Sequence, residues 1–193
     1  MSDTVLETER LVLRRWRDGD LDLWLEHLNT PQVKAHLGGP QDPEAVAERF
    51  ARMENAWTKD GFSFLAVDLR ETGRFLGTAG IGPISNDRAP EALRDMVQIG
   101  WQLRRDYWGR GYATEAAREF LAWAFDGLNL PVVYAQTSES NPASWRIMEK
   151  LGMERLSALD YDAPDYPPED NPTKVYGLTR EAWLSRAEAV AHA

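Results

Sequence analysis

The stretch Gln98-Ile-Gly-Trp-Gln-Leu-Arg-Arg-Asp-Tyr-Trp-Gly-Arg-Gly-Tyr-Ala-Thr-Glu-Ala-Ala-Arg118 constrains this chain more than any other. It reads as a strand, a turn rich in glycine and arginine, and an amphipathic helix. Ala113, Ala116, Ala117, Phe120, Leu121, Ala124 and Phe125 share one apolar face of that helix. A turn of this kind brings backbone N–H groups, the positive end of a helix dipole and cationic side chains to one point. That combination suits a pyrophosphate.

The apolar strand Leu130–Gln136 follows the helix, so strand, helix and strand fit within about forty residues. That spacing calls for a parallel pair joined by a right-handed crossover. The segments before it read differently. A short strand at Leu11–Leu13 precedes a helix capped by Asp18, with Leu21, Trp24, Leu25 and Leu28 at helical spacing. Asp42-Pro43 starts a second helix, whose Val46, Phe50, Met53 and Trp57 make one face before Gly61. The strands Phe62–Asp68 and Phe75–Ile81 flank the turn Glu71-Thr-Gly73, and the glycines of the second suggest bends or close backbone approach. A loop at Asn86–Asp95 leads into a strand at Met96–Leu103. Past the crossover, Asn141-Pro142 starts a helix that stops at Leu151-Gly152. Strands near Met153–Leu159 and Lys174–Leu178 flank an acidic, proline-rich loop, and a helix closes the chain. The expectation is one α/β domain over residues 1–193, with a mixed sheet, no repeat and no long linker.

Net charge narrows the partners. With 22 basic and 31 acidic residues the chain carries −9, which argues against nucleic acid as a partner. The excess is uneven: Asp160–Asp170 holds five carboxylates, whereas Arg104, Arg105 and Arg110 crowd the turn. An anion site on an acidic protein needs that local bias. The acidic loop could draw in an ammonium group, or could be a solvated segment stiffened by proline. There is no cysteine, hence no disulfide, thiolate metal site or cysteine nucleophile, and a cytoplasmic location is permitted. No apolar run reaches the ~18 residues of a membrane span, and Met1-Ser2-Asp3 has no signal-peptide pattern. His27, His36 and His192 follow no metal-binding spacing, and no metal is expected.

Two phosphate motifs fail on the turn. A Walker loop ends in Gly-Lys-Ser/Thr, and a dinucleotide fingerprint needs a third glycine where Thr114 stands. What remains, Leu103-Arg-Arg-Asp-Tyr-Trp-Gly-Arg-Gly-Tyr-Ala-Thr-Glu-Ala116, resembles the acyl-CoA motif of the GNAT superfamily of N-acetyltransferases. Trp108 stands at the motif's first position, where glutamine or arginine is usual. Trp-Gly-x-Gly-Tyr-Ala resembles the branch that acetylates N-terminal amines of ribosomal proteins. Asn141-Pro-Ala-Ser144 followed by Lys150-Leu-Gly-Met153 resembles the next GNAT motif, and Lys174–Trp183 resembles the end of the ribosomal-protein type.

The resemblance implies a GNAT fold: a mostly antiparallel mixed sheet, a central splayed parallel pair, and helices on both faces. It implies acetyl-CoA, or another acyl-CoA, as a co-substrate. By resemblance its contacts are Ile99, Trp101 and Leu103 on the strand and Arg104 and Arg105 beyond it. Trp108, Gly109, Arg110, Gly111, Tyr112, Ala113 and Thr114 follow in the turn, then Asn141 and Ser144. Asn141 would bind the pantetheine or the substrate, and Ser144 would sit near the sulfur as a proton donor or as a hydrogen-bonding group. Where many relatives carry a tyrosine acid, Met148 stands here, and Tyr134 and Tyr107 are weaker candidates. Gln98 occupies a position where glutamate often serves as base, which leaves Asp95, or Glu91 and Asp87 before it. A backbone N–H near Ile99 or Gly100 would hold the oxyanion. The acceptor would be a primary amine, either a protein N-terminus or a small amine such as a polyamine, and a homodimer is possible. The alternative is a CoA-binding module without chemistry. A dinucleotide-dependent oxidoreductase is disfavoured by the missing glycine.

Overall fold

The computed structural model describes residues 3–164 and 166–191, with backbone alone for 187–191. Asp165 of the acidic loop and His192 lie outside the described residues. Two compact units are present: Met1–Gly82 with Gly100–Glu119, and Pro83–Ile99 with Phe120–Ala193. The central strand, β5 (Val97–Leu103), contributes to both.

In the first unit, β1 (Thr4–Glu7), β2 (Leu11–Arg14), β3 (Phe64–Leu69) and β4 (Phe75–Pro83) form an antiparallel run in that order. β1 was not foreseen. It is only four residues long and half-buried, so it carries little hydrophobic period. The β4 glycines do mark close approach. A Cβ on Gly77 would lie 2.2 Å from the Gln102 carbonyl oxygen, and one on Gly80 would lie 2.3 Å from the Phe64 Cα.

Helix α1 (Asp20–His27) starts two residues after the expected cap, and Gly19 precedes it with φ 90°. Asp18 is exposed and caps nothing. The reason is that Asp20 takes over the junction. Its buried carboxylate accepts from Arg17 N at 2.7 Å and from Arg14 Nη1 at 2.6 Å. Asp68 holds the other edge of the same guanidinium at 2.5 Å. Burial works against the Arg14 charge, but the bonds to Asp20 and Asp68 outweigh it and raise its pKa above the ordinary value. Helix α2 (Pro43–Asp60) presents Val46 and Met53 to a core that also holds Trp16, Trp24, Leu28, Val33 and Phe75. Trp16 anchors it, 4.6 Å from Phe50 and 5.5 Å from Trp24 between ring centres.

In the second unit, β6 (Val132–Ser138) pairs along its whole length with β8 (Thr173–Thr179), and β7 (Glu154–Arg155) pairs with β8 beyond. β7 is shorter than expected, because Ser157–Leu159 winds into a 3-10 turn and Arg155 binds Asp160. Helix α3 (Tyr112–Ala122) passes into a wider, π-type turn over Trp123–Gly127. α4 (Pro142–Leu151) ends at Gly152 with φ 84°, and α5 (Arg180–Ala191) follows β8. The strand order is β1-β2-β3-β4-β5-β6-β8-β7, with β5 and β6 parallel. This is the mixed α/β sheet the sequence calls for. Among the described residues no helix is long and apolar enough to cross a membrane.

Candidate active site

The turn between β5 and α3 is held open by side chains. Gly109 and Gly111 adopt φ of 72° and 83°, conformations that favour glycine. Trp108 Nε1 donates to the Leu103 carbonyl at 2.7 Å and closes the base of the turn. Its ring carries the Arg105 guanidinium at 4.9 Å. The indole at the motif's first position thus shapes the loop and holds Arg105. Tyr107 is buried beneath Arg104 and Arg110, whose guanidinium carbons lie 5.6 and 5.4 Å from its ring centre. Its hydroxyl accepts from Arg74 Nη1 at 3.3 Å, a bond that raises the Arg74 pKa. Tyr107 therefore organises the cations around it.

From Gly109 to Thr114, six consecutive main-chain N–H groups meet no acceptor among the described residues; the first inward bond is Glu115 N to Gly111 O at 3.0 Å. The expected contacts at Gly109, Arg110, Gly111, Tyr112, Ala113 and Thr114 thus form one donor array at the positive end of α3. Ile99 and Leu103 are buried, so they have main chain to offer a ligand, whereas Trp101 is half-exposed.

The other expected residues lie in the second unit. β5 and β6 share a single parallel register pair, Gln98 with Tyr134. The edge of β6 that faces β5 is otherwise unpaired among the described residues, while its other edge makes seven pairs to β8. Gln98 is tied at both ends of its amide. Its oxygen accepts from Gln136 Nε2 at 3.2 Å and its nitrogen donates to Pro83 O at 3.5 Å. Tyr161 Oη donates to Gln136 at 2.5 Å. Nothing in the sequence marked this chain of amides, since its members lie 25 and 38 residues apart.

Asn141 caps α4, its Oδ1 accepting from Ser144 N at 3.2 Å. Its amide nitrogen donates to nothing among the described residues, so capping leaves a donor for a ligand. The Ser144 hydroxyl is likewise unengaged and half-exposed. Met148 is buried and packs in the core. Asp95 is exposed and lies two residues before β5, with φ 62°, bonded through its backbone N–H to Ile84 O at 3.3 Å. Two carboxylates of the acidic loop are committed elsewhere. Asp160 pairs with Arg155, and buried Asp170 accepts from the Ser138 and Ser140 hydroxyls.

One further group escaped sequence reasoning. Lys34 is buried in the first unit, 5.8 Å from the Trp24 ring centre and 3.5 Å from Gln102 Oε1 on β5. Burial, helped by the nearby Arg49 charge, lowers its pKa to about 8.

Residues 10–154 match the family model of the acetyltransferase (GNAT) domain. The chain belongs to the GNAT acetyltransferase family. An N-acetyltransferase of Bacillus licheniformis, p20, is 27% identical over 81% of this chain and 86% of its own. The acetyltransferase of Agrobacterium tumefaciens, a solved structure, is 32% identical with a TM-score of 0.73, over 90% of this chain and 92% of that one. The aminoglycoside acetyltransferase AAC(6')-Ib, solved with coenzyme A, shares the fold at 22% identity and a TM-score of 0.74, over 92% and 99%. This GNAT chain is an N-acetyltransferase, and acetyl-CoA-dependent N-acetylation is its general chemistry.

Proposed function

We propose that this GNAT enzyme transfers the acetyl group of acetyl-CoA directly to a primary amine, with a protein N-terminal α-amine as the favoured acceptor. The observation that carries the donor half is the run of six unpaired N–H groups from Gly109 to Thr114. A pyrophosphate accepts hydrogen bonds and carries negative charge, so it complements this array and the arginines stacked on Tyr107 and Trp108. The coenzyme A bound by AAC(6')-Ib supports the same donor. The acceptor half rests on the Trp108-Gly-Arg-Gly-Tyr-Ala113 motif, the form resembling ribosomal-protein acetyltransferases. A cytoplasmic location accords with such an acceptor and with the absence of cysteine.

The pantetheine arm pairs with the β6 backbone left unpaired beyond the Gln98–Tyr134 pair, and the Asn141 amide nitrogen donates to it. The neutral amine attacks the thioester carbonyl carbon, so a C–N bond forms and the C–S bond breaks. An N–H on β5 at Ile99 or Gly100 holds the oxyanion. The sulfur leaves as thiolate with the Ser144 hydroxyl beside it, and the proton lost by nitrogen passes to Asp95 through water. Positioning carries most of the rate, because no strongly shifted acid or base is required.

Incubation with acetyl-CoA and a panel of amines, including short peptides with free N-termini, tests this through release of free CoA. The protein has no thiol of its own to interfere. Release stimulated by a peptide amine, and abolished by blocking its N-terminus, is expected. Binding of CoA with no stimulation by any amine overturns the transfer, and stimulation by small amines alone overturns the acceptor.

A further inference from the structure

The donor array is shaped from outside. The N–H groups from Gly109 to Thr114 find no acceptor among the described residues, and ahead of α3 the backbone of the turn is tied internally only from the Gly111 carbonyl, which accepts from Glu115 N. Arg10 meets it from the β1–β2 hairpin, 100 residues before Arg110 in the chain. Arg10 Nη1 donates to the Arg110 carbonyl at 3.2 Å, and the guanidinium lies 4.6 Å from the Tyr112 ring centre. Its Nη2 sits 3.4 Å from where a Cβ on Gly111 would be. Its other edge is fixed by Glu115 on α3: Nε to Oε2 is 2.7 Å and Nη2 to Oε2 is 2.5 Å. Glu115 is in turn held by Arg10 N at 3.0 Å and the Thr8 hydroxyl at 2.5 Å, and Thr8 accepts from Leu11 N at 2.9 Å.

In a trans peptide the C=O and N–H point opposite ways. Holding the Arg110 carbonyl towards Arg10 therefore aims the Gly111 N–H away from it, on the side free of protein acceptors. We propose that Arg10, clamped by Glu115, is a positioning residue that presets the turn's N–H groups for the pyrophosphate of the acyl donor. Arg10 touches no reacting atom and acts through the Arg110–Gly111 peptide and Tyr112. This rests on reading the turn as the pyrophosphate site.

A lysine keeps the charge of Arg10 but cannot bond Glu115 in two places, bond Arg110 and cover Tyr112 at once. The experiment is steady-state kinetics of R10K, R10M and E115Q with two donors: acetyl-CoA, and acetyl-pantetheine, which has no pyrophosphate. All three variants are expected to raise KM for acetyl-CoA by about tenfold with kcat within about twofold, the mark of lost ground-state binding. Their kcat/KM for acetyl-pantetheine should equal that of the wild type. Thermal unfolding reports whether each variant folds, and acetyl-pantetheine turnover keeps the comparison valid if one is less stable.

Three outcomes overturn the proposal. R10K could restore the wild-type KM, which would leave bare charge as the cause. KM for both donors could rise together, a general structural effect. Or neither KM could change. A wild-type enzyme equally active with both donors would refute the pyrophosphate reading itself, independently of Arg10.

Discussion

Replacing Lys34 by methionine should stabilise this protein at neutral pH. The ammonium is enclosed in the first unit, with Gln102 Oε1 at a long 3.5 Å and the Trp24 ring for company. Burial first, then the Arg49 charge, brings its pKa from 10.5 to about 8. At about 1.4 kcal/mol per tenfold change in proton affinity, that fall represents roughly 3 kcal/mol against folding with the lysine charged. The sign follows from the two pKa values. Below pH 8 both folded and unfolded chains hold the proton, and the whole cost is present. Between about 8 and 10.5 the unfolded chain holds a proton that the folded one has lost, so stability rises with pH. Above 10.5 the cost is gone.

Methionine fills similar space without charge but leaves the Gln102 oxygen without its donor, an offset of about 1 kcal/mol. The expected gain is about 2 kcal/mol at about pH 7, from urea unfolding of K34M against wild type. At about pH 9.5 the difference should shrink by about 2 kcal/mol. Comparing the two proteins at each pH cancels the titration of Tyr161 and Tyr176, whose pKa values burial raises. K34R, which cannot shed its proton, should fall behind wild type as the pH rises from about 7 to about 9.5. A K34M protein less stable at neutral pH, or a gap that is the same at both pH values, would refute the reasoning.

Asn141 separates capping from ligand binding. N141D keeps the acceptor for Ser144 N and should fold as stably as wild type, yet raise KM for acetyl-CoA about fivefold or more in steady-state assays. N141A should in addition lose about 1 kcal/mol in urea unfolding. S144A should lower kcat by about tenfold, with thermal unfolding unchanged, if its hydroxyl assists the departing sulfur; an unchanged kcat would assign it no part in that step. D95N should lower kcat/KM at neutral pH with thermal unfolding unchanged, and an unchanged kcat/KM would remove Asp95 from the mechanism. D68A leaves a buried guanidinium with one carboxylate and should cost about 3 kcal/mol by urea unfolding.

The strand, turn and helix at Gln98–Arg118 were legible because glycine, arginine and a helical apolar period coincide within twenty-one residues. The Asn141 cap and Gly152 stop were legible for the same reason, each being fixed by neighbours in sequence. What escaped is fixed by distant partners. Asp18 has every local qualification of a cap, but Arg14 recruits Asp20 into a buried cluster with Asp68 and moves the helix start. Lys34 has nothing around it in sequence to foretell burial; only the meeting of the α1 region with β5 encloses it. The acidic loop shows the same limit: composition counts its five carboxylates, but not that Arg155 binds Asp160 and that the Ser138 and Ser140 hydroxyls bind Asp170.

On the proposed reading, the turn lets a chain of net charge −9 receive an anion as highly charged as coenzyme A. Free surface arginines would lie in an acidic field and be screened by salt. Here the donors are chiefly peptide N–H groups, which cannot titrate, and the cations are stacked on Tyr107, Trp108 and Tyr112, which limits the rotamer entropy lost on binding. The acidic Glu115 stands in the first turn of α3, where it favours the helix dipole but opposes an incoming phosphate. Burial would raise its pKa, but bonds from Thr8 and Arg10 outweigh that and hold it below the usual carboxylate value. Its charge is thereby spent on Arg10. Each carboxylate near the turn that finds an internal cation leaves the N–H array freer to act, so the acidity of the whole is no obstacle to the site.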